Sequence, residues 1–256
     1  MSGNVGIDLS GKKALVTGGS RGIGRAIAVR LAEAGCDVAI NYLRSRAPAQ
    51  ETAAAVEACG RKAYTYKVNV AQTEKLGDMF SKIEEEMGGL DILVSNAASG
   101  VIKPAMELTN RHWHWTMDIN AAALLPLAQH ASKLMGPDGG HIIAVSSLGA
   151  VRAIPNYAAV GASKAALESL VRHLAVELAP SGVRVNAISA GVVDTDALKH
   201  FSNRSQLLDE SARRTPAGRL TEPRDVADAA LFLVSPLAQM MVGQTIVVDG
   251  GYSIMG

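Results

Sequence analysis

Short apolar runs alternate with longer amphipathic stretches along most of this chain. Aliphatic and β-branched residues gather at 13–17, 37–42, 63–68, 91–95, 141–146, 184–189 and 245–248. Such short, nearly continuous apolar runs mark parallel strands that are covered on both faces. Between them, apolar positions recur at helical spacing over 23–34, 47–59, 73–87, 110–134, 158–178 and 224–233. Seven strands interleaved with six helices predict an α/β fold, a doubly wound parallel sheet with helices on both faces. No linker or low-complexity stretch interrupts the alternation, so residues 1–256 are expected to form a single domain. Gly35 and Gly60 follow helical runs and suit left-handed C-terminal caps. Pro126 falls inside the 110–134 pattern and predicts a bend or break there.

The longest stretch without a strand pattern is 190–220, with a helical piece near 205–214. It follows the carboxyl end of a strand, where open parallel sheets bind ligands, and is expected to cover a site. A segment serving only contacts between subunits is the other reading.

Chemistry enters at the first strand-to-helix turn, Thr17-Gly18-Gly19-Ser20-Arg21-Gly22-Ile23-Gly24. Glycines at 18, 22 and 24 permit a tight turn, close approach of a diphosphate to the backbone, and close helix–strand packing. The helix that starts there offers free N–H groups and the positive end of its dipole. This is a Rossmann-type nucleotide turn, and Gly18, Ser20, Arg21, Gly22, Ile23 and Gly24 are its expected cofactor contacts. The second strand ends in Asn41-Tyr42-Leu43-Arg44-Ser45-Arg46, with no carboxylate to hold a ribose 2′-hydroxyl. Arg21 and Arg44 instead offer two guanidiniums for a 2′-phosphate, which favours NADPH over NADH. Arg46 also reads as an ordinary solvated charge.

Bulk properties narrow the partners. Net charge is +1, which implies no nucleic acid or other polyanion as partner. No apolar stretch reaches the ~20 residues of a membrane helix, and residues 1–12 lack a secretory pattern. Two cysteines outside any C-x-x-C pair fit a reducing compartment, so a cytoplasmic location is expected. The six histidines show no metal-ligand spacing.

Past the middle of the chain, Tyr157 and Lys164 stand seven residues apart in N-Y-A-A-V-G-A-S-K. On a helix that separation turns through about 700° and rises about 10.5 Å, so the two share a face. With the glycine turn, the pair resembles the short-chain dehydrogenase/reductase family, nearly end to end. Asn96-Ala97-Ala98 is similar to the family's N-A-G segment, Asn69-Val70 to its D-[VL] pair beside the adenine, and Ala190-Gly191-Val192-Val193-Asp194-Thr195 to its P-G-x-x-x-T. The resemblance therefore implies cofactor contacts at Asn69, Val70, Asn96, Ala97, Lys164, Gly191 and Thr195. It places Asn120 where the family ties a helix asparagine to a water relay.

The departure from the family's Y-x-x-x-K is informative. Val160 stands four residues before Lys164 and has no proton to give. The spacing Y-x-x-x-x-x-x-K, with S-L-G-x-x-R-x-x-x-N-Y before it, resembles the enoyl-[acyl-carrier-protein] reductase branch. The segments at 95–100 and 194–201 are most similar to its NADPH-using third type, FabL. The resemblance implies reduction of the trans-2 double bond of enoyl thioesters in fatty-acid synthesis. Tyr157 would stabilise the nascent oxyanion, Lys164 would bind the ribose and lower the phenol's pKa, and Ser147 would add a hydrogen bond or carry a water. Substrate would arrive on acyl carrier protein, docked by Lys199, Arg204, Arg213, Arg214 and Arg219, or on CoA. The family further implies a homotetramer paired through the helices at 110–134 and 158–178. Two other readings fit the same residues. Ser147, 17 residues before Lys164, suits a 3-oxoacyl-thioester or ketone reductase, and a nicotinamide-binding sensor needs only the glycine turn.

Overall fold

A computed structural model of the chain describes residues 6–194 and 204–255. They build one parallel sheet of β1 (Lys13–Val16), β2 (Asp37–Tyr42), β3 (Ala63–Lys67), β4 (Ile92–Ser95), β5 (Gly140–Ser147), β6 (Val183–Ala190) and β7 (Thr245–Val248). The spatial order is β3-β2-β1-β4-β5-β6-β7. It reverses direction between β1 and β4, which pair in register from Ala14 opposite Ile92 to Val16 opposite Val94. Crossovers leave this point on opposite faces, so a crevice opens at the carboxyl ends of β1 and β4.

Side-chain alternation assigns the two faces. Leu15, Leu93, Ile142 and Val185 pack under α3 (Leu76–Met87), α5 (Leu124–Leu134) and α6 (Ala158–Leu178). Their neighbours Val16, Val94, Ile143 and Ile188 pack under α1 (Gly22–Glu33), α2 (Arg46–Ala58) and α8 (Pro223–Leu233). Each buried aliphatic side chain of this kind contributes about 1.5–3 kcal/mol of transfer free energy. The apolar runs therefore lack polar positions because both faces of every central strand are covered. Among the described residues, no helix is long and apolar enough to cross a membrane.

Gly35 and Gly60 take left-handed conformations, at φ +106° and +74°, just past α1 and α2, as their positions predict. Pro126 does not break its helix. The interruption lies upstream, where α4 (Asn110–Met117) passes into a π-helical turn over Asp118–Ala122. There Ala123 N–H bonds to the Asp118 carbonyl at 3.0 Å, skipping one residue more than an α-helix does. Pro126 thus becomes the third residue of α5, in its first turn just past the π-helical turn.

In the 190–220 segment, α7 (Arg204–Arg214) is described, and the chain after it is anchored on the turn that follows β7. Ala217 N–H bonds to the Gly250 carbonyl at 3.0 Å, and the Arg214 guanidinium lies over the Tyr252 ring at 5.4 Å.

Candidate active site

The glycine turn joins β1 to α1 and is held from beneath by β4. Thr17 Oγ1, fully buried, accepts hydrogen bonds from Asn96 N–H at 3.0 Å and Ala97 N–H at 3.1 Å. The Asn96 amide in turn donates to the carbonyls of Thr17 at 3.0 Å and Gly18 at 3.1 Å. The next strand contributes too, since Asn41 Oδ1 accepts from Gly18 N–H at 3.4 Å. Gly18 and Gly22 adopt φ +62° and +55°, where only glycine is unstrained. A Cβ on Gly24 would overlap the Asn96 amide and the Gly18 carbonyl.

Among the described residues no side chain caps α1, and its first turn carries no acid. The helix therefore presents N–H groups and a positive dipole end to the crevice, as a dinucleotide diphosphate requires. Thr52 Oγ1 donates to the Ser20 carbonyl at 3.2 Å, which ties α2 to this turn. Arg21, at the turn, and Arg44, just past β2, are both exposed. Ile23 is half-buried against the core beneath α1. Asn69 Oδ1 accepts from Ala71 N–H at 3.1 Å, a local turn that seats the buried Val70 past β3. Gly191 packs against Asp249 and Thr221 past β6, and its N–H bonds to the Val248 carbonyl at 2.9 Å. Thr195, the remaining expected contact, lies outside the described residues. These residues fit a bound dinucleotide: a close-approach cradle, an uncapped helix start and two cations at the far edge.

The second half of the site is built on β5 and α6. Lys164 is 6% exposed, and its ammonium donates to the Val145 carbonyl at 2.6 Å. Burial pushes its pKa down to about 8, against the opposing pull of the Glu168 carboxylate. Glu168, one turn further along α6, is itself buried and accepts a hydrogen bond from Ser146 Oγ at 2.5 Å. Sequence reasoning missed both Ser146 and Glu168. Their signal was present: an acid on the inward face of a helix four residues after an active lysine needs a buried partner.

Tyr157 stands at the N-cap of α6, half-buried, with its ring lying against Gly149. Asn156 before it has φ +63°, a left-handed turn that asparagine tolerates. Burial raises the phenol's pKa, and the nearby Ser147 hydroxyl pulls the other way. The net direction is upward, the reverse of the lowering expected from the ammonium. The ammonium is spent on the Val145 carbonyl instead. Tyr157 therefore stays protonated, as a donor, throughout the neutral range.

Val160 is buried and lies against Gly100, so closely that a Cβ on that glycine would overlap it. The position four residues before Lys164 is thus filled by an aliphatic group facing the loop after β4. That loop is fixed by Asn120 in the π-helical turn. Asn120 Oδ1 accepts from Ser99 N–H at 2.8 Å, while its amide donates to Ser163 Oγ on α6 at 3.0 Å. A cleft of about 340 Å³ opens beside Tyr157, lined by Pro104, Gly149, Arg152, Ile154 and Ala162 among others. The cluster expected to receive a carrier protein is partly committed elsewhere. Arg219 makes two hydrogen bonds to Asp225, at 2.6 and 2.8 Å, and Arg214 covers Tyr252. Lys199 lies outside the described residues.

The family described as Enoyl-(Acyl carrier protein) reductase matches residues 18–253. A 1-cyclohexenylcarbonyl-CoA reductase from Streptomyces collinus is 41% identical over 243 residues, covering 94% of this chain and 86% of the relative. A hydroxynaphthalene reductase-like protein from Metarhizium guizhouense is 35% identical over 255 residues, covering 95% of each chain. Among solved structures, a short chain dehydrogenase from Burkholderia cenocepacia in complex with NADP superposes with a TM-score of 0.89 at 36% identity, covering 96% of this chain and 99% of that one. The crevice, the glycine turn and the tyrosine–lysine helix sit in that shared frame, and the chain belongs to the short-chain dehydrogenase/reductase family of nicotinamide-dependent oxidoreductases.

Proposed function

We propose that this protein is an NADPH-dependent reductase of the trans-2 double bond of enoyl thioesters, of the enoyl-[acyl-carrier-protein] reductase kind. The observation that carries the reading is the exchange between positions 157 and 160. Val160 is buried against Gly100, where the ketone-reducing pattern needs a phenol, while Tyr157 lines the cleft from the start of α6. The name of the Streptomyces relative, a cyclohexenylcarbonyl thioester reductase, supports an unsaturated thioester as substrate.

The nicotinamide, when bound, supplies the hydride for the substrate's β-carbon. Negative charge then gathers on the thioester oxygen, and Tyr157 O–H donates a hydrogen bond to it. The raised pKa of the phenol suits that role, because a donor must keep its proton at working pH. Ser147 hydrogen-bonds the phenol and orients it. The α-carbon receives its proton as the charge collapses, delivered from the phenol or from water in the cleft. Lys164 holds the cofactor's ribose hydroxyls, and Arg21 and Arg44 take the 2′-phosphate. The FabL-like third type, delivery on acyl carrier protein or CoA, a place in fatty-acid synthesis, a cytoplasmic location and a homotetramer belong to the same proposal.

Tyr157→Phe tests it. Loss of one preorganised donor to an oxyanion lowers kcat by about 10²–10³. The expected result is that loss on a crotonyl thioester, followed by NADPH absorbance, with NADPH binding kept. A wild-type protein that reduces acetoacetyl but not crotonyl thioesters would move the assignment to 3-oxoacyl reduction, for which Ser147 is already in place beside the phenol.

A further inference from the structure

The machinery proposed above gives the buried acid Glu168 no task. Glu168 sits on the inward face of α6, one turn beyond Lys164, and is 7% exposed. Its carboxylate is held by Ser146 Oγ at 2.5 Å, the short distance of a charge-assisted bond. Ser146 is the β5 residue between Val145, whose carbonyl takes the Lys164 ammonium, and Ser147, whose hydroxyl lies near the phenol. Three consecutive residues of one strand thus address the acid, the ammonium and the donor.

From this arrangement we infer that Glu168 is a positioning residue. Clamped by Ser146, its carboxylate keeps Lys164 charged and seated on the Val145 carbonyl, ready for the cofactor's ribose. The inference rests on the proposed role of Lys164.

The physical need is plain. An ammonium buried to this degree loses most of its hydration, and a single carbonyl does not replace it. Burial alone pulls the Lys164 pKa down, and it settles at about 8 with the carboxylate opposing. Without that carboxylate it would fall further, into the range where the protein works, and a neutral amine would face the ribose. Glu168 is the buried acid on the same helix, one turn away. Against α6, α4 and α5 place His112 and His130 at partly covered positions, and β5 and β6 carry His141 and Arg184 at the opposite end of the sheet. Tyr157, at the start of α6, is protonated and brings no charge.

Glu168→Gln removes the charge and keeps the shape and an acceptor for Ser146. NADPH binding to the free protein, followed by cofactor fluorescence from pH 6 to pH 9, reads the result without turnover. The expected outcome is a weakening of about fivefold or more at pH 8 that shrinks to within about threefold at pH 6, as loss of an adjacent counter-charge predicts. The alkaline limb of kcat/KM moves to lower pH by about one unit or more, with KM for NADPH affected more than kcat. Glu168→Asp restores most of the limb, and Ser146→Ala, which frees the carboxylate without discharging it, shifts it less than Glu168→Gln. Should Glu168→Gln not fold, the Asp and Ser146→Ala variants carry the test by the same pH dependence. Equal weakening at every pH, or none, overturns the inference. Lys164→Met separates the two levels: if it binds NADPH as the wild type does, the role of Lys164 fails and this inference with it. If it binds weakly while Glu168→Gln shows no pH dependence, only the inference fails.

Discussion

Substituting Gly24 by alanine is the sharpest probe of the cofactor turn. The new methyl group would overlap the Asn96 amide and the Gly18 carbonyl. Neither can yield freely. The Asn96 amide is held by the Thr17 and Gly18 carbonyls at 3.0 and 3.1 Å. Gly18 has no room to retreat, since its own Cβ position lies 2.9 Å from the Ala97 backbone. Relief therefore breaks the two amide bonds, about 0.5–1.5 kcal/mol each, or displaces the first turn of α1 at an overpacking cost of about 1–3 kcal/mol. The better helix propensity of alanine returns up to about 1 kcal/mol. The net expectation is a loss of about 1–2 kcal/mol, a fall in Tm of roughly 2–8 °C for a chain of this size. NADPH binding should weaken by more than about tenfold, because a few tenths of an ångström at the turn disrupt several N–H contacts together. Thermal melting and NADPH titration measure both, with Gly136→Ala as the control, since nothing lies within 4 Å of a Cβ there. A Gly24→Ala protein that melts and binds like the wild type would refute the account of the turn.

Two further outcomes are expected. Arg44→Ala should weaken NADPH binding by about tenfold or more, the worth of a charge-assisted hydrogen bond, and leave NADH binding unchanged; equal loss for both cofactors would remove the 2′-phosphate from its role. His141, at the opposite end of β5, has a buried Nδ1 without a hydrogen-bond partner among the described residues, and burial lowers its pKa from 6.5 to about 4. The unfolded chain then binds the extra proton first, so stability is full above pH 6.5 and is lost as pH falls towards 4, a limb that His141→Leu should flatten in urea titrations at several pH values.

Most of the frame was legible in the chain because its physics is local. Apolar runs mark strands buried on both faces, and the glycine turn names its own geometry. Gly35 and Gly60 announce helix ends through the one backbone conformation that favours them. The errors arose where a residue's setting depends on distant groups. Pro126 carries a helix-breaking cost that holds only in a helix interior, and the π-helical turn at 118–122, invisible to an apolar pattern, moved it into a first turn. Lys164 was expected to act on Tyr157, because two side chains on one helical face suggest a coupled pair. The Val145 carbonyl, reached only once β5 is beside α6, took the ammonium instead. Ser146 and Glu168 escaped notice for the same reason: their bond joins residues 22 positions apart.

On the proposed reading, these displacements share one logic. Moving the phenol from the first turn of α6 to its N-cap leaves the glycine turn, the crevice and the lysine untouched, so the cofactor half of the site is unaffected. What changes is confined to the stretch from β5 into α6. Val160 closes the old position against Gly100, Asn156 takes a left-handed turn to bring the ring in, and Gly149 leaves room for its edge. A phenol held there is separated from the ammonium's influence and rises in pKa, which an enolate donor tolerates because it has only to remain protonated. The lysine, deprived of that coupling and fully enclosed, then depends on an acid of its own, and the one buried acid within a helical turn of it is Glu168.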